Sequence, residues 1–144
     1  MKATWLYRIS AILFFLFALG HTVGFMTFSA PTAEARAVWD AMKAVHFTVD
    51  SSTFSYGGWY TGFGLSVTVG DLFYAYLAWK LGEMARLHPQ AIGALGWMLC
   101  LTQVAGIVLC LLHFAAVPAV LSSLLTLLLA WAAWEAGKRR TAAR

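Results

Sequence analysis

The chain has 144 residues, of which 61% are hydrophobic and 11% are charged, and its formal net charge is +4. An average soluble domain has roughly 45–50% apolar and about 25% charged residues, and a chain this small cannot hide so much apolar surface from water. The composition therefore excludes a soluble enzyme, a disordered tail and a disulfide scaffold. It predicts an integral membrane protein in contact with membrane lipid.

Four apolar runs follow one another along the chain, at about 5–28, 58–81, 91–113 and 118–136. Each is close to the roughly 20 residues that a helix needs to cross the hydrocarbon core of a bilayer. Because backbone groups in lipid must be satisfied within their own segment, each run is expected to be a helix. The sequence thus predicts an all-α fold, a four-transmembrane-helix bundle that forms a single domain over 1–144.

The first run is expected to be a retained helix, although Ala33-Glu34-Ala35 has the form of a signal-peptide cleavage site. A signal peptide has an apolar region of only about 7–15 residues, which is shorter than this run.

The positions of the ten Lys and Arg residues predict how these helices are oriented. Two of them, Arg36 and Lys43, fall on one side of the predicted bundle. The other eight fall on the opposite side: Lys2, Arg8, Lys80, Arg86, Lys138, Arg139, Arg140 and Arg144. Both termini are therefore expected in the cytoplasm, with the bacterial inner membrane as the location. No basic patch is interleaved with exposed aromatic residues, so no nucleic-acid partner is expected.

The only substantial predicted loop covers 29–57 and lies on the outer side. Its first part, from Pro31 to Phe47, has the pattern of a short amphipathic helix, with Val38, Met42 and Val45 recurring at helical spacing. Such a stripe lies on the membrane surface or caps the bundle. The second part of the loop is rich in turn-forming residues and leads directly into the second apolar run.

Two polar residues fall at membrane depth. Asp71 is near the middle of the second run, on a helix face that also contains Thr61, Gly64, Thr68 and Ala75. Gln103 is at a comparable depth in the third run. Charged and polar side chains in lipid are costly, so they are expected to face protein or trapped water. A functional interpretation of Asp71 is a proton or cation relay, and a structural one is a carboxyl group hydrogen-bonded to a neighbouring helix, with Gln103 as the natural partner.

Three histidines are predicted near the outer side. His21 is flanked by glycines in the first run, His46 lies in the loop, and His113 ends the third run with Cys110 one turn before it. Imidazole and thiolate bind copper or zinc, and imidazole is a usual axial ligand of haem. These residues are therefore candidate ligands of a haem, a pigment or a transition metal. The alternative is that they are hydrogen-bonded within the bundle.

Three blocks of sequence carry a resemblance: GHTVGF at 20–25, AMKAVHF at 41–47, and Ser55-Tyr56 followed by YTGFG at 60–64. They resemble a group of small bacterial four-helix inner-membrane proteins. The resemblance covers the first half of the chain, implies the four-helix topology and points to His21 and His46. Gly57-Gly58 stand where members of that group often have bulky polar or acidic residues.

Several functions fit this pattern. The first is a non-catalytic accessory or interaction subunit, which packs small-residue helix faces against a membrane-protein partner or a second copy. The second is a redox or pigment-binding bundle with His21, His113 and His46 as ligands. A third is a small proton- or cation-coupled carrier centred on Asp71. A membrane enzyme acting on lipid, with His46 as its base, is the least favoured, since the sequence contains no catalytic motif.

Overall fold

The computed structural model of the chain describes residues 2–114 and 116–142. Within them, five α-helices and one β-hairpin follow in the order α1 (Lys2–Thr27), α2 (Ala33–Ala44), β1 (His46–Val49), β2 (Ser52–Ser55), α3 (Tyr56–Leu87), α4 (Leu95–His113) and α5 (Ala116–Ala142). Ala115 and Arg144, together with the side chains of Arg139 and Arg140 used in the orientation prediction, lie outside the described part of the chain.

The prediction of a mostly helical chain is confirmed. Three of the described helices, α1, α4 and α5, are long and apolar enough to cross a membrane. The second predicted span, at about 58–81, corresponds to α3, which is not among those three, since its first half contains glycine, threonine and tyrosine residues before Asp71. With 32 residues, α3 is about 48 Å long, so its length exceeds the roughly 30 Å of a hydrocarbon core.

Two predicted boundaries differ on either side of the segment between α3 and α4. α3 continues to Leu87, where the second run was expected to end at about residue 81. A helix was expected from about residue 91, but α4 begins at Leu95 because a 3₁₀ turn occupies Pro89–Ala91. Gly93 then has a positive φ of 49°, which a glycine adopts without the strain that other residues incur. The turn also explains the end of α3, because a residue that precedes proline disfavours the helical conformation.

The loop between α1 and α3 differs from the prediction first in the length of its helix. The amphipathic helix exists as α2, but it ends at Ala44, so Val45, His46 and Phe47 are not helical. Its N-cap is Thr32, whose hydroxyl accepts a hydrogen bond from Ala35 N at 3.1 Å. Two hydrogen bonds lower the pKa of the Glu34 carboxyl. The larger effect comes from the backbone of Glu34 itself, and the smaller one comes from the Thr32 side chain.

The second part of that loop is a β-hairpin where turns alone were expected. β1 and β2 pair antiparallel, with Phe47 opposite Phe54 and Thr48 opposite Thr53. Asp50 and Ser51 form the two-residue connection, and both have positive φ, at 49° and 69°. This is the backbone of a type I′ turn, whose twist matches that of the strands it joins.

The contacts of the chain define two compact units. Unit 1 comprises Met1–Leu16 and Leu72–Arg144, and unit 2 comprises Phe17–Asp71, so that α1 and α3 each contribute to both. The single transmembrane domain over 1–144 stays a prediction.

Unit 1 has a packed core in which four large side chains, Tyr7, Phe14, Leu81 and Leu129, are fully buried. α4 packs against α5 in this unit, and the Cys100 thiol donates a hydrogen bond to Thr126 O at 3.7 Å. A methyl group added at Gly96 would overlap the Tyr7 hydroxyl, so only a glycine allows this approach of α1 to α4.

Candidate functional site

The most specific polar geometry of unit 2 joins the C-terminal part of α1 to the N-terminal half of α3. His21 Nε2 donates a hydrogen bond of 3.0 Å to the backbone carbonyl of Gly64. The ring of Phe25, one turn further along α1, lies directly over Gly64, where any β-carbon would overlap it. Gly64 therefore lets the two helices approach closely enough for His21 to reach its carbonyl.

A pair of threonine hydroxyl groups continues this contact. Thr22 Oγ1 donates to Ala18 O at 2.8 Å on its own helix, and it lies 2.8 Å from Thr68 Oγ1. Because a hydroxyl group has one proton, Thr68 must be the donor in the bond between the two helices. Gly64 and Thr68 are four residues apart, so both bonds lie on one face of α3.

Asp71 lies on the same face of α3, three residues after Thr68. Its side chain is buried, with 8% exposed, and its Oδ2 has no hydrogen-bond partner within residues 2–114 and 116–142. His21 contacts this face of α3 through its hydrogen bond to Gly64 O. We call the set of His21, Thr22, Gly64, Thr68 and Asp71 the polar seam. It contains an acid, a base and hydroxyl groups, which are the groups that proton or cation chemistry needs.

An aromatic column extends from the polar seam towards α2. The His21 ring stacks on Phe25 with centroids 5.9 Å apart, and Phe25 stacks on Tyr60 at 5.6 Å. Trp39 of α2 is the last ring of the column, in an edge-to-face contact with Tyr60 and with the two ring centroids 5.5 Å apart. Lys43 Nζ lies 5.3 Å from the Trp39 ring centroid, so a cation–π contact ends the column.

A second group of rings, the hairpin cluster, surrounds the start of α3. It consists of Phe47, Phe54, Tyr56, Trp59 and Phe63. Phe47 is central, with its ring centroid 4.7 Å from Tyr56 and 5.0 Å from Trp59. The cluster then extends along α3, since Trp59 lies 5.9 Å from Phe63.

The remaining candidate ligands lie at other places in the fold. His46 is exposed at the start of β1, and its Nδ1 donates to Ala44 O at 2.8 Å. His113 is exposed at the end of α4, and Cys110 is half-buried one turn earlier. Among the described residues, no group of three or more His, Cys, Asp or Glu side chains is placed to hold a metal ion. The assignment of these residues as ligands stays a prediction.

Cysteine, glutamine and histidine side chains recur along α4 at three- to seven-residue spacing, and only those in its first half are buried. Cys100 and Gln103 are buried, with 6% and 7% exposed, Cys110 is half-buried and His113 is exposed. Gln103 is therefore buried, as Asp71 is, and the membrane depth of both residues stays a prediction. The hydrogen bond expected between these two residues stays a prediction.

Sequence reasoning identified His21 and Asp71 but missed how the seam is assembled. The glycines next to His21 in sequence, Gly20 and Gly24, have open space where a β-carbon would be. The glycine that matters is Gly64, 43 residues further along the chain. The sequence already placed Gly64 on the same helix face as Asp71. The signal that could have identified the contact is the pair of Gly64 and Thr68 in the second apolar run, which matches His21 and Thr22 in the first.

No protein family, no curated protein and no solved structure matches this chain.

Proposed function

We propose that the protein is a non-catalytic integral membrane protein that serves as an accessory or interaction subunit of a larger membrane complex. In this proposal α1, α3, α4 and α5 all cross the bacterial inner membrane, with both termini in the cytoplasm and the hairpin on the outer side. Three of these helices have the length and apolar composition of membrane spans, and the asymmetry of Lys and Arg supports the orientation.

The observation that supports an interaction role is an exposed face of small residues on α3. Gly58, Gly62 and Ser66 recur every four residues, and all three are exposed. A β-carbon built on Gly62 has open space around it. In membranes, small residues at this spacing allow two helix backbones to approach closely.

The second half of α4 gives further support. The buried residues of α4 are Gly96, Leu99, Cys100 and Gln103, all in its first half. The remaining part presents large apolar side chains, including Leu111 and Leu112 with 69% and 68% exposed. This surface is available to lipid or to another membrane helix.

Cysteine cross-linking in native membranes tests the proposal. In a background where Cys100 and Cys110 are replaced by alanine, Gly62→Cys is expected to cross-link to a partner or to a second copy. The matched control is Val67→Cys, which is also exposed but faces about 140° away around the helix. If neither variant cross-links, and mild detergent yields only a monomer without a stoichiometric partner, the proposal is wrong.

A second candidate function, the proton- or cation-coupled carrier, is favoured by buried Asp71, whose Oδ2 has no hydrogen-bond partner among the residues that the structure describes. An unsatisfied polar group in a buried position costs free energy, and ionisable residues at membrane depth commonly mark ion pathways. In reconstituted vesicles, Asp71→Asn is expected to abolish cation-coupled flux, whereas Asp40→Asn on exposed α2 leaves it unchanged. Equal flux in both variants excludes this candidate.

The redox alternative with a haem, pigment or metal at His21, His46 and His113 stays a prediction. Ligation through His21 Nε2 requires loss of the hydrogen bond to Gly64 O. An absorption spectrum and elemental analysis of protein purified from its native membrane test this alternative. A cofactor band that disappears in His21→Ala supports it, and a colourless, metal-free protein counts against it.

A further inference from the structure

The β-hairpin has two chemically different faces. Side chains of a strand alternate between the faces, so opposite pairs in the register share a face. Phe47 and Phe54 are one such pair, and Val49 with Ser52 is the next pair on the same side. The other side has the pair of Thr48 and Thr53, whose hydroxyl oxygens are 3.4 Å apart, and the pair of His46 and Ser55.

The orientation of these faces relative to α3 is fixed by local contacts. Tyr56 N donates to Val45 O at 3.3 Å, and Ser55 Oγ accepts from Gly58 N at 3.0 Å, as an N-cap of α3. Gly57 is buried against the end of α2, where a β-carbon would lie 3.3 Å from Met42 O. The hairpin is therefore held directly on the first turn of α3.

The apolar face of the hairpin continues onto the surface of α3. Phe47 and Phe54 contact Trp59, whose ring contacts Phe63 one turn further on. Phe54, Trp59 and Phe63 are still exposed, with Phe63 at 66%, and Phe47 is half-buried. An exposed aromatic surface that continues from a polar turn onto α3, whose crossing of the membrane is proposed above, has the composition of the interfacial belt, where aromatic rings lie at the level of the lipid headgroups.

We propose that the hairpin is a lipid-binding element that lies in the outer membrane–water interface. Its aromatic face contacts the boundary between headgroups and acyl chains of the outer leaflet, and its threonine face contacts water. The proposal depends on the proposed crossing of the membrane by α3. It goes beyond the subunit proposal, because it assigns the partner of this surface as phospholipid and not protein.

Spin labels placed on the two faces test this assignment. In the background without Cys100 and Cys110, single cysteines replace Val49 or Ser52 on the apolar face, and Thr48 or Thr53 on the polar face. The four full-length proteins are reconstituted in phospholipid vesicles, and the collision rates of each nitroxide with oxygen, which concentrates in lipid, and with a water-soluble nickel chelate are measured. All four positions are exposed, and Ser52→Cys changes one atom, so the test does not depend on a variant that disturbs the fold.

We expect oxygen to dominate at 49 and 52, and the nickel chelate to dominate at 48 and 53. Nickel access at all four positions would show that the hairpin stands in water and would overturn the proposal. Shielding of 49 and 52 from both probes would show that protein covers the aromatic face, which also overturns it. Either failure leaves the cross-linking result at Gly62 unaffected, so failure here is distinguishable from failure of the subunit proposal.

Discussion

The contact of Gly64 with Phe25 makes one substitution especially informative. In Gly64→Ala the new methyl group would occupy the volume of the Phe25 ring. The ring is the end of a side chain and is able to move, but it stacks on His21 on one side and on Tyr60 on the other. Moving it therefore disturbs the aromatic column, and moving the helices apart instead lengthens the bond from His21 to the Gly64 carbonyl.

The size of the effect follows from these contacts. An inserted methyl group in a packed interior costs about 1–3 kcal/mol. Aromatic pairs contribute about 0.5–1.5 kcal/mol each, and a hydrogen bond between membrane helices averages about 0.6 kcal/mol. Replacing glycine by alanine in a helix also raises the free energy of unfolding by up to about 1 kcal/mol, because alanine has the higher helix propensity. Gly62→Ala provides the same gain with open space around the new methyl group. The difference between the two variants is therefore expected to be about 1–3 kcal/mol.

The assay is the free energy of unfolding in mixed micelles as the denaturing detergent is increased. Gly64→Ala should be less stable than Gly62→Ala by that amount, and in a Phe25→Ala background the penalty at Gly64 should largely disappear. Independent sites add within about 0.5 kcal/mol. A difference between the two alanine variants smaller than this would refute the close contact of α1 with α3 at Gly64.

Three further predictions concern other contacts. A double-mutant cycle of Thr22→Val and Thr68→Val should give a coupling free energy of about 0.6 kcal/mol and at most about 1.7, measured by the same unfolding assay; additive effects would contradict the hydroxyl pair. Ser51→Gly should slow amide hydrogen exchange in the hairpin, because glycine adopts a positive φ without strain; faster exchange would argue against the type I′ turn. Gly96→Ala should lower the free energy of unfolding by about 1–3 kcal/mol through overlap with a buried tyrosine hydroxyl, whereas Gly106→Ala, which has open space on the same helix, should not; equal stability of the two variants would contradict the core packing of unit 1.

Much of the helical architecture could be predicted from the sequence. A long apolar run without internal breaks has few structural alternatives in lipid, so the expected run at about 5–28 is close to the observed α1, Lys2–Thr27. The burial of Asp71 and Gln103 was also predictable, because a polar side chain within a long apolar run has a strong energetic reason to avoid lipid. These properties depend on local composition and on the solvent.

The hairpin and the polar seam could not be predicted in the same way. Each strand has only four residues, too few for a clear alternation, and hydroxyl-bearing residues around Asp50 suggest turns as readily as strands. The seam depends on which helices are in contact and at what register. His21 could be recognised as polar in an apolar run, but the carbonyl that it reaches is specified by the packing of Phe25 over Gly64, which no short stretch of sequence encodes.

Whether α3 crosses the membrane is the central question for the proposed topology, and labelling with a membrane-impermeant maleimide in intact cells answers it most directly. In the background without Cys100 and Cys110, one variant has Ser51→Cys in the hairpin turn, before α3, and another has Gln90→Cys in the turn after it. Both positions are exposed. We expect Ser51→Cys to react in intact cells and Gln90→Cys to react only after the membrane is permeabilised. Equal reaction of both variants in intact cells would place the two ends of α3 on the same side and contradict the four-helix topology.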